Sequence, residues 1–340
     1  MKYPRNLQKN ETIGFVAPSF GAATEPYRSA FLNAEKTFRK MGYSLEEGPN
    51  VFSGSGIGIS STPEKCGAEL NAMYLSKTNQ ALISVGGGEL MIEDLPYVDF
   101  GAMKNAEPKW YMGYSDNTNM TFLLPTLCDT AAIYAPCASD FGMEPWHRAV
   151  SDAFSLLTGE CMTVESYGLW ESESLRDESS PYAPYNVTEK NVPVFRNYDG
   201  EPFSGRFLGG CLDCLANLCG TRFDKVKDFA ERYADDGIIW FLESCDLNVF
   251  SIRRALFELR EAGWFANAKA FLIGRPGVMG QELMGLDQYE AVTGVLGALG
   301  KPILMDLDIG HLPPMMPLIS GGYGTVFRTE NGIRIVFERK

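Results

Sequence analysis

Four short apolar runs punctuate the first 135 residues: 12–17 (TIGFVA), 81–85 (ALISV), 109–113 (KWYMG) and 131–135 (AAIYA). The first is closed by Pro18 and Ser19, and the second runs straight into Gly86-Gly87-Gly88. Runs this short and this uniformly apolar read as strands covered on both faces. Helical patterns separate them. Residues 27–41 put Ala30, Phe31, Ala34, Phe38 and Met41 on one face and stop at Gly42, the usual C-terminal signal. A second helix starts at Thr62-Pro63-Glu64, with a hydroxyl cap, a proline in the first turn and an early carboxylate. Strands alternating with helices pair in parallel through right-handed crossovers. The spacing therefore predicts an α/β fold with a Rossmann-like N-terminal domain over residues 1–165.

At 340 residues the chain has room for a second domain. Between the two, residues 166–191 (SYGLWESESLRDESSPYAPYNVTEKN) lose all periodicity yet keep Tyr167, Trp170, Tyr182 and Tyr185. A loop of this length that retains aromatics reads as a substrate-facing lid or as an interdomain tether; the linker is set at 166–200. Residues 201–340 carry strands at 237–242, 269–273 and 302–305, a helix at 249–262, and a closing pair at 325–328 and 333–338 around a Glu-Asn-Gly turn. The net charge of −13 disfavours nucleic acid and anionic membranes as partners. Met1 to Asn10 is polar and no run suits a membrane span, so a cytoplasmic location is expected. Eight dilute cysteines are read as reduced thiols.

The chemistry starts at Gly113-Tyr114-Ser115-Asp116-Asn117, where an apolar strand meets a helix-like segment, 119–127. A serine on that turn is either a nucleophile presented above the sheet edge or an ordinary helix cap. A nucleophile needs a base, and the chain has two histidines. His147 opens a polar-faced helix, where a solvent-exposed ring is expected; His311 follows a strand and is braced by Gly310, Pro313 and Pro314. Functional groups collect at the carboxyl ends of strands in open α/β sheets, which favours His311. Glu243 emerges directly after Ile238-Ile239-Trp240-Phe241-Leu242 as the orienting acid, with Asp246, Asp306 and Asp308 as rivals.

Two other features compete. Cys211-Leu212-Asp213-Cys214, with Cys219 nearby, has half the spacing of a zinc site or a redox pair, but it also fits one helix carrying Leu208, Cys211, Leu212, Leu215 and Leu218. Gly86 to Gly88 lacks the Gly-x-Gly-x-x-Gly spacing of a dinucleotide cradle. No metal or cofactor is expected.

Residues 13–19 (IGFVAPS), 81–88 (ALISVGGG), 95–100 (LPYVDF), 113–118 (GYSDNT), 205–221 (GRFLGGCLDCLANLCGT), 239–243 (IWFLE) and 308–311 (DIGH) occur in this order along the chain. Together they resemble the LD-carboxypeptidase/microcin-immunity serine peptidase family over nearly the whole length. The resemblance implies a Ser-Glu-His triad of Ser115, Glu243 and His311. It also implies an oxyanion hole from the backbone N–H groups of Gly88 and Asp116, a smaller β-rich C-terminal domain, a homodimer and no metal. The implied substrate is a murein peptide with a terminal D-amino acid, or a peptidyl or aminoacyl nucleotide; a silent ligand-binding protein of the same fold is the rival outside enzymes. The sequence departs from the family in two places. Glu89-Leu90-Met91-Ile92 replaces a polar stretch after the glycines, and the lid has Trp170 where microcin-immunity members carry a close tryptophan pair. Trp170 is the candidate substrate contact.

Overall fold

The computed structural model describes residues 1–340. The N-terminal apolar runs form the strands Thr12–Val16, Ala81–Ser84, Trp110–Gly113 and Ala132–Tyr134, joined by Ser44–Glu47 in a parallel sheet. Helices Tyr27–Lys40 and Pro63–Leu75 lie between them in the chain; Thr62 stands at the N-cap of the second, but its hydroxyl makes no capping hydrogen bond. Phe31, Ala34 and Phe38 on the first helix are fully buried. Phe15 meets Phe31 edge-on at 5.1 Å, which locks the helix to the strand beneath it.

The second sheet has eight strands. Its centre is a parallel block of Phe203–Cys211, Ile238–Glu243, Ala268–Gly274 and Ile303–Leu307, flanked by antiparallel neighbours. Helices Leu212–Leu218, Val249–Glu261 and Gln288–Leu296 belong to this half. The halves also exchange strands. Leu318–Ser320 pairs antiparallel with Ala132–Tyr134 at the edge of the first sheet, and Thr163–Glu165 pairs with Gly332–Glu338 in the second. One apolar cluster runs through both sheets, from Phe15 and Ile83 to Phe241 and Leu304. No helix is long and apolar enough to cross a membrane.

Three local expectations are corrected. The helix expected from Leu208 begins only at Leu212, because Arg206 to Cys211 pair residue for residue with Ile238 to Glu243. A six-residue ladder against a central strand outweighs helical spacing, although Leu212, Leu215 and Leu218 do bury their side chains. The helix expected over 119–127 is split into Thr118–Thr121 and Leu123–Cys128; Pro125 has no N–H to offer Thr121. The linker is not bare loop. Leu169–Trp170 pairs with Glu189–Lys190, and Val194–Arg196 is the edge strand of the second sheet. Its polar groups find fixed partners: Asp308 Oδ2 accepts from the Tyr167 N–H at 2.8 Å and from Asn191 Nδ2 at 3.1 Å.

Candidate active site

The carboxyl ends of the two parallel blocks face each other, and three of the sequence-selected residues meet there. Ser115, two residues after the strand ends at Gly113, has φ 63°, a left-handed conformation that projects its side chain off the strand end. Asn117 holds the turn: its Nδ2 donates to the carbonyls of Gly86 (2.8 Å) and Tyr114 (3.1 Å), and its Oδ1 accepts from Tyr111 at 2.5 Å. Asp116 turns its carboxylate inward, where Ser19 Oγ (2.6 Å), the Met91 N–H (3.0 Å) and Asn119 Nδ2 (3.1 Å) donate to it. The elbow and the glycine loop are thereby tied together.

His311 Nε2 lies 2.8 Å from Ser115 Oγ, and Nδ1 lies 2.9 Å from Glu243 Oε2. Glu243 is fully buried, and its other oxygen accepts a 2.5 Å bond from the Tyr134 hydroxyl, which in turn accepts the Ser115 N–H at 3.2 Å. Gly310 precedes the histidine with φ 104°, and a Cβ there would stand 2.6 Å from Glu243 Oε2; only glycine lets the loop bring the ring this close. Burial alone would raise the Glu243 carboxyl, but His311, Tyr134 and Cys211 more than offset it and hold the group below its ordinary value. Burial would lower His311, and the facing Glu243 charge, with help from Cys245, carries it well above 6.5 instead.

The rival acids have other partners. Asp306 accepts from Gln288 Nε2 (2.9 Å) and the Tyr289 hydroxyl (2.6 Å), while Asp308 pairs with Arg275 at 2.7 Å. Asp246 is exposed. His147, expected to be solvent-exposed, is half-buried: its Nδ1 accepts the Ala149 N–H at 3.1 Å and its ring packs on Tyr167 and Tyr185. A local pattern did not reveal these later neighbours. The one group of three metal-ligating side chains is Cys211, Glu243 and His311, with ligand atoms within 4.8 Å of one another. Its carboxylate and imidazole already share a hydrogen bond, and Cys214 and Cys219 are not part of it. The Cys214 hydrogen bond and burial push the Cys211 thiol well above its usual value, which leaves it a neutral neighbour of Glu243.

Three cavities reach Ser115 or His311. The largest, about 470 Å³, has Phe20, Tyr27, Gly87, Tyr114, Ser115 and Arg176 in its walls. A second, about 300 Å³, shares Tyr27, Tyr114 and Arg176 with it and reaches His311 and Tyr185. The third, about 160 Å³, shares Ser115 with the first and includes Gly88 and Asp116. Trp170, expected at the substrate, lines none of them. Its ring sits 5.4 Å from the Arg275 guanidinium, because the hairpin it belongs to is drawn onto the Asp308 network. The 166–191 segment instead contributes Arg176, held at 3.0 Å by Asp140. Tyr134, Arg176 and Arg275 escaped sequence reading. The apolar run ending at Tyr134 was visible, but nothing in it foretold a hydroxyl shared with Glu243.

Family models for the LD-carboxypeptidase N-terminal domain and C-terminal domain match residues 13–135 and 204–326. A protein of Streptomyces coelicolor named as a carboxypeptidase is 24% identical over 249 residues, covering 72% of this chain and 67% of its own. Among solved structures, the microcin C7 self-immunity protein MccF in its wild-type apo state superposes with a TM-score of 0.82 at 22% identity, covering 100% of this chain and 99% of its own. MccF has also been solved with glutamyl sulfamoyl guanosine and with aspartyl sulfamoyl adenosine. An MccF-like protein from Bacillus anthracis matches with a TM-score of 0.82 and 21% identity over 100% of both chains.

Proposed function

Because the chain belongs to the LD-carboxypeptidase family, with models matching both of its halves, we propose that it is a serine-type amide hydrolase working through Ser115, His311 and Glu243. The observation that carries this reading is the position of the His311 ring, 2.8 Å from Ser115 Oγ on one side and 2.9 Å from Glu243 on the other. His311 takes the Ser115 proton as Oγ attacks the amide carbonyl, and Glu243 stabilises the resulting imidazolium. The backbone N–H groups of Asp116 and Gly88, which share a cavity wall with Ser115, receive the oxyanion. The imidazolium then protonates the leaving nitrogen, and water, deprotonated by the same ring, releases the acyl group. The first substrate class is a murein peptide ending in a D-amino acid. The aromatic walls of the large cavity, Phe20, Tyr27 and Tyr114, favour a second, an aminoacyl nucleotide whose base would stack there. Mass spectrometry of products after incubation with a murein tetrapeptide and with an aminoacyl sulfamoyl adenosine tests both. Hydrolysis of either supports the hydrolase, and two intact substrates would contradict it.

The base must be neutral to accept a proton, and its raised pKa sets the acid limb of activity. The pH profile of kcat/KM should fall as pH drops through a value above 6.5, the ordinary histidine value. Stability runs the other way for this ring: its contribution is full below 6.5 and is lost as pH rises through the higher folded value. Glu243 contributes above 4.5 and loses its share as pH falls through its lowered folded value. Denaturant melts across pH should therefore find the pair most stabilising between 4.5 and 6.5, and Glu243→Gln should flatten that profile.

The oxyanion assignment has its own test. A Cβ on Gly88 would collide with Ser19 Oγ and lie 2.9 Å from the Gly58 carbonyl, so the loop must shift. Gly88→Ala is expected to lower kcat by about 10²- to 10³-fold with a smaller effect on KM. A variant with native kcat would place the donor elsewhere.

A further inference from the structure

No step of the hydrolysis uses the thiol that stands beside its acid and base. Cys211 Sγ, a Glu243 carboxylate oxygen and a His311 ring nitrogen lie within 4.8 Å of one another, with Cys211 and Glu243 buried and His311 partly so. Sulfur, oxygen and nitrogen donors in one cluster make a ligand set for a thiophilic divalent cation. Tetrahedral zinc, with bonds of about 2.0–2.3 Å, sets its ligand atoms roughly 3.5 Å apart. That lies between the 2.9 Å of the Glu243–His311 pair and the 4.8 Å that bounds the whole group. The charges also match: a thiolate and a carboxylate neutralise a dication, so the loaded cluster leaves no uncompensated charge in a buried place. Outer contacts are in position to orient the ligands. The Tyr134 hydroxyl donates to the other Glu243 oxygen at 2.5 Å, and the Cys211 S–H donates to Asp213 Oδ2 at 3.3 Å. Cys211 and Asp213 line the 160 Å³ cavity together with Glu89 and Asp246, with no lysine, arginine or histidine among the lining residues. A cation therefore has an entry whose field draws it in.

The consequence follows from the two ring nitrogens. Nδ1 faces Glu243 and Nε2 faces Ser115, so a ring that accepts the Ser115 proton at Nε2 carries its own proton on Nδ1. A cation on Nδ1 takes that lone pair and leaves the ring proton on Nε2, where it blocks acceptance from Ser115. We propose that Cys211, Glu243 and His311 form an inhibitory site for a thiophilic divalent cation such as zinc, which stops turnover by fixing the wrong tautomer of the base. The protons balance: a neutral ring keeps its one proton, moved from Nδ1 to Nε2, and a doubly protonated ring gives up the one on Nδ1. The Cys211 S–H proton passes to solvent in either case, and no electron moves. The inhibition rests on the hydrolase reading above; the binding of the cation does not.

Calorimetric titration of the Ser115→Ala protein with zinc chloride tests the site without turnover. One equivalent should bind, and magnesium should not compete, because the thiol is a soft ligand. Adding Cys211→Ser should weaken zinc by about tenfold or more, while Cys214→Ser and Cys245→Ser, which remove the neighbouring thiols, should change it far less. Cobalt(II) in place of zinc should give a thiolate-to-metal charge-transfer band that only Cys211→Ser abolishes, a signature that a loosened fold would not reproduce. In the wild-type protein zinc should lower kcat by about tenfold or more with little change in KM, and EDTA should restore it. Absence of zinc binding, unchanged affinity in Cys211→Ser, an equal loss in Cys214→Ser or Cys245→Ser, or zinc bound with no fall in rate would overturn the proposal. A protein that binds zinc as expected but hydrolyses nothing in its absence would overturn the hydrolase reading alone.

Discussion

Ser115→Ala is expected to lower kcat by about five to six orders of magnitude, His311→Ala to do nearly the same, and the double variant to be little worse than either. The near-identity of the three is the informative part. A nucleophile and its base act as one unit, so removing the second after the first costs almost nothing further, whereas two residues that merely bind substrate would add their effects. Steady-state kinetics on a cleaved substrate, with residual rates checked against the uncatalysed background, measures this. Native turnover in either single variant would contradict the assignment. Neither substitution should unfold the protein: Ser115 and His311 make their polar contacts at the cavity, not in the apolar cluster shared by the sheets.

The second large effect falls outside the reacting atoms. Arg275 is 1% exposed, its Nη1 lies 2.7 Å from Asp308 Oδ1, and its Nη2 donates to the Leu312 carbonyl at 3.1 Å. It thus fastens both ends of the loop that carries His311, while Asp308 fastens the 166–191 segment through Tyr167 and Asn191. Arg275→Ala leaves a fully buried carboxylate uncompensated and should cost about 3–5 kcal/mol in denaturant melts. Arg275→Met combined with Asp308→Leu should regain much of that, since the charge left behind is what makes the single change expensive. If the single variant melts like wild type, the pair is not what holds this loop.

The sequence was informative wherever a function depends on strand ends. Apolar runs that stop at Gly113 and Leu242 announce the places where Ser115 and Glu243 must emerge, and the structure puts both there. His311 could be preferred over His147 for the same reason. Less was legible where an element's fate depends on a distant partner. Leu208 and Cys211 satisfy helical spacing, yet they join a ladder whose partner lies about thirty residues on. Trp170 looked like a ligand contact because aromatic residues in a long loop are unusual, but the guanidinium it packs on belongs to Arg275. The strand exchanges of 163–165 and 318–320 leave no mark on local composition, since either strand would read the same in either sheet. Tyr134 is the clearest case. Its ring is an ordinary buried aromatic, and only the meeting of the two sheets reveals that its hydroxyl bridges Glu243 and the Ser115 backbone.

The most direct test of the central claim is covalent labelling with a fluorophosphonate, which reacts with a serine only when a base and an oxyanion site activate it. The protein should take up one equivalent, peptide mapping should place the adduct on Ser115, and labelling should vanish in Ser115→Ala and His311→Ala. It should also slow as pH falls through the raised His311 value. An adduct on another residue, or a wild-type protein that stays unlabelled at alkaline pH, would contradict the account.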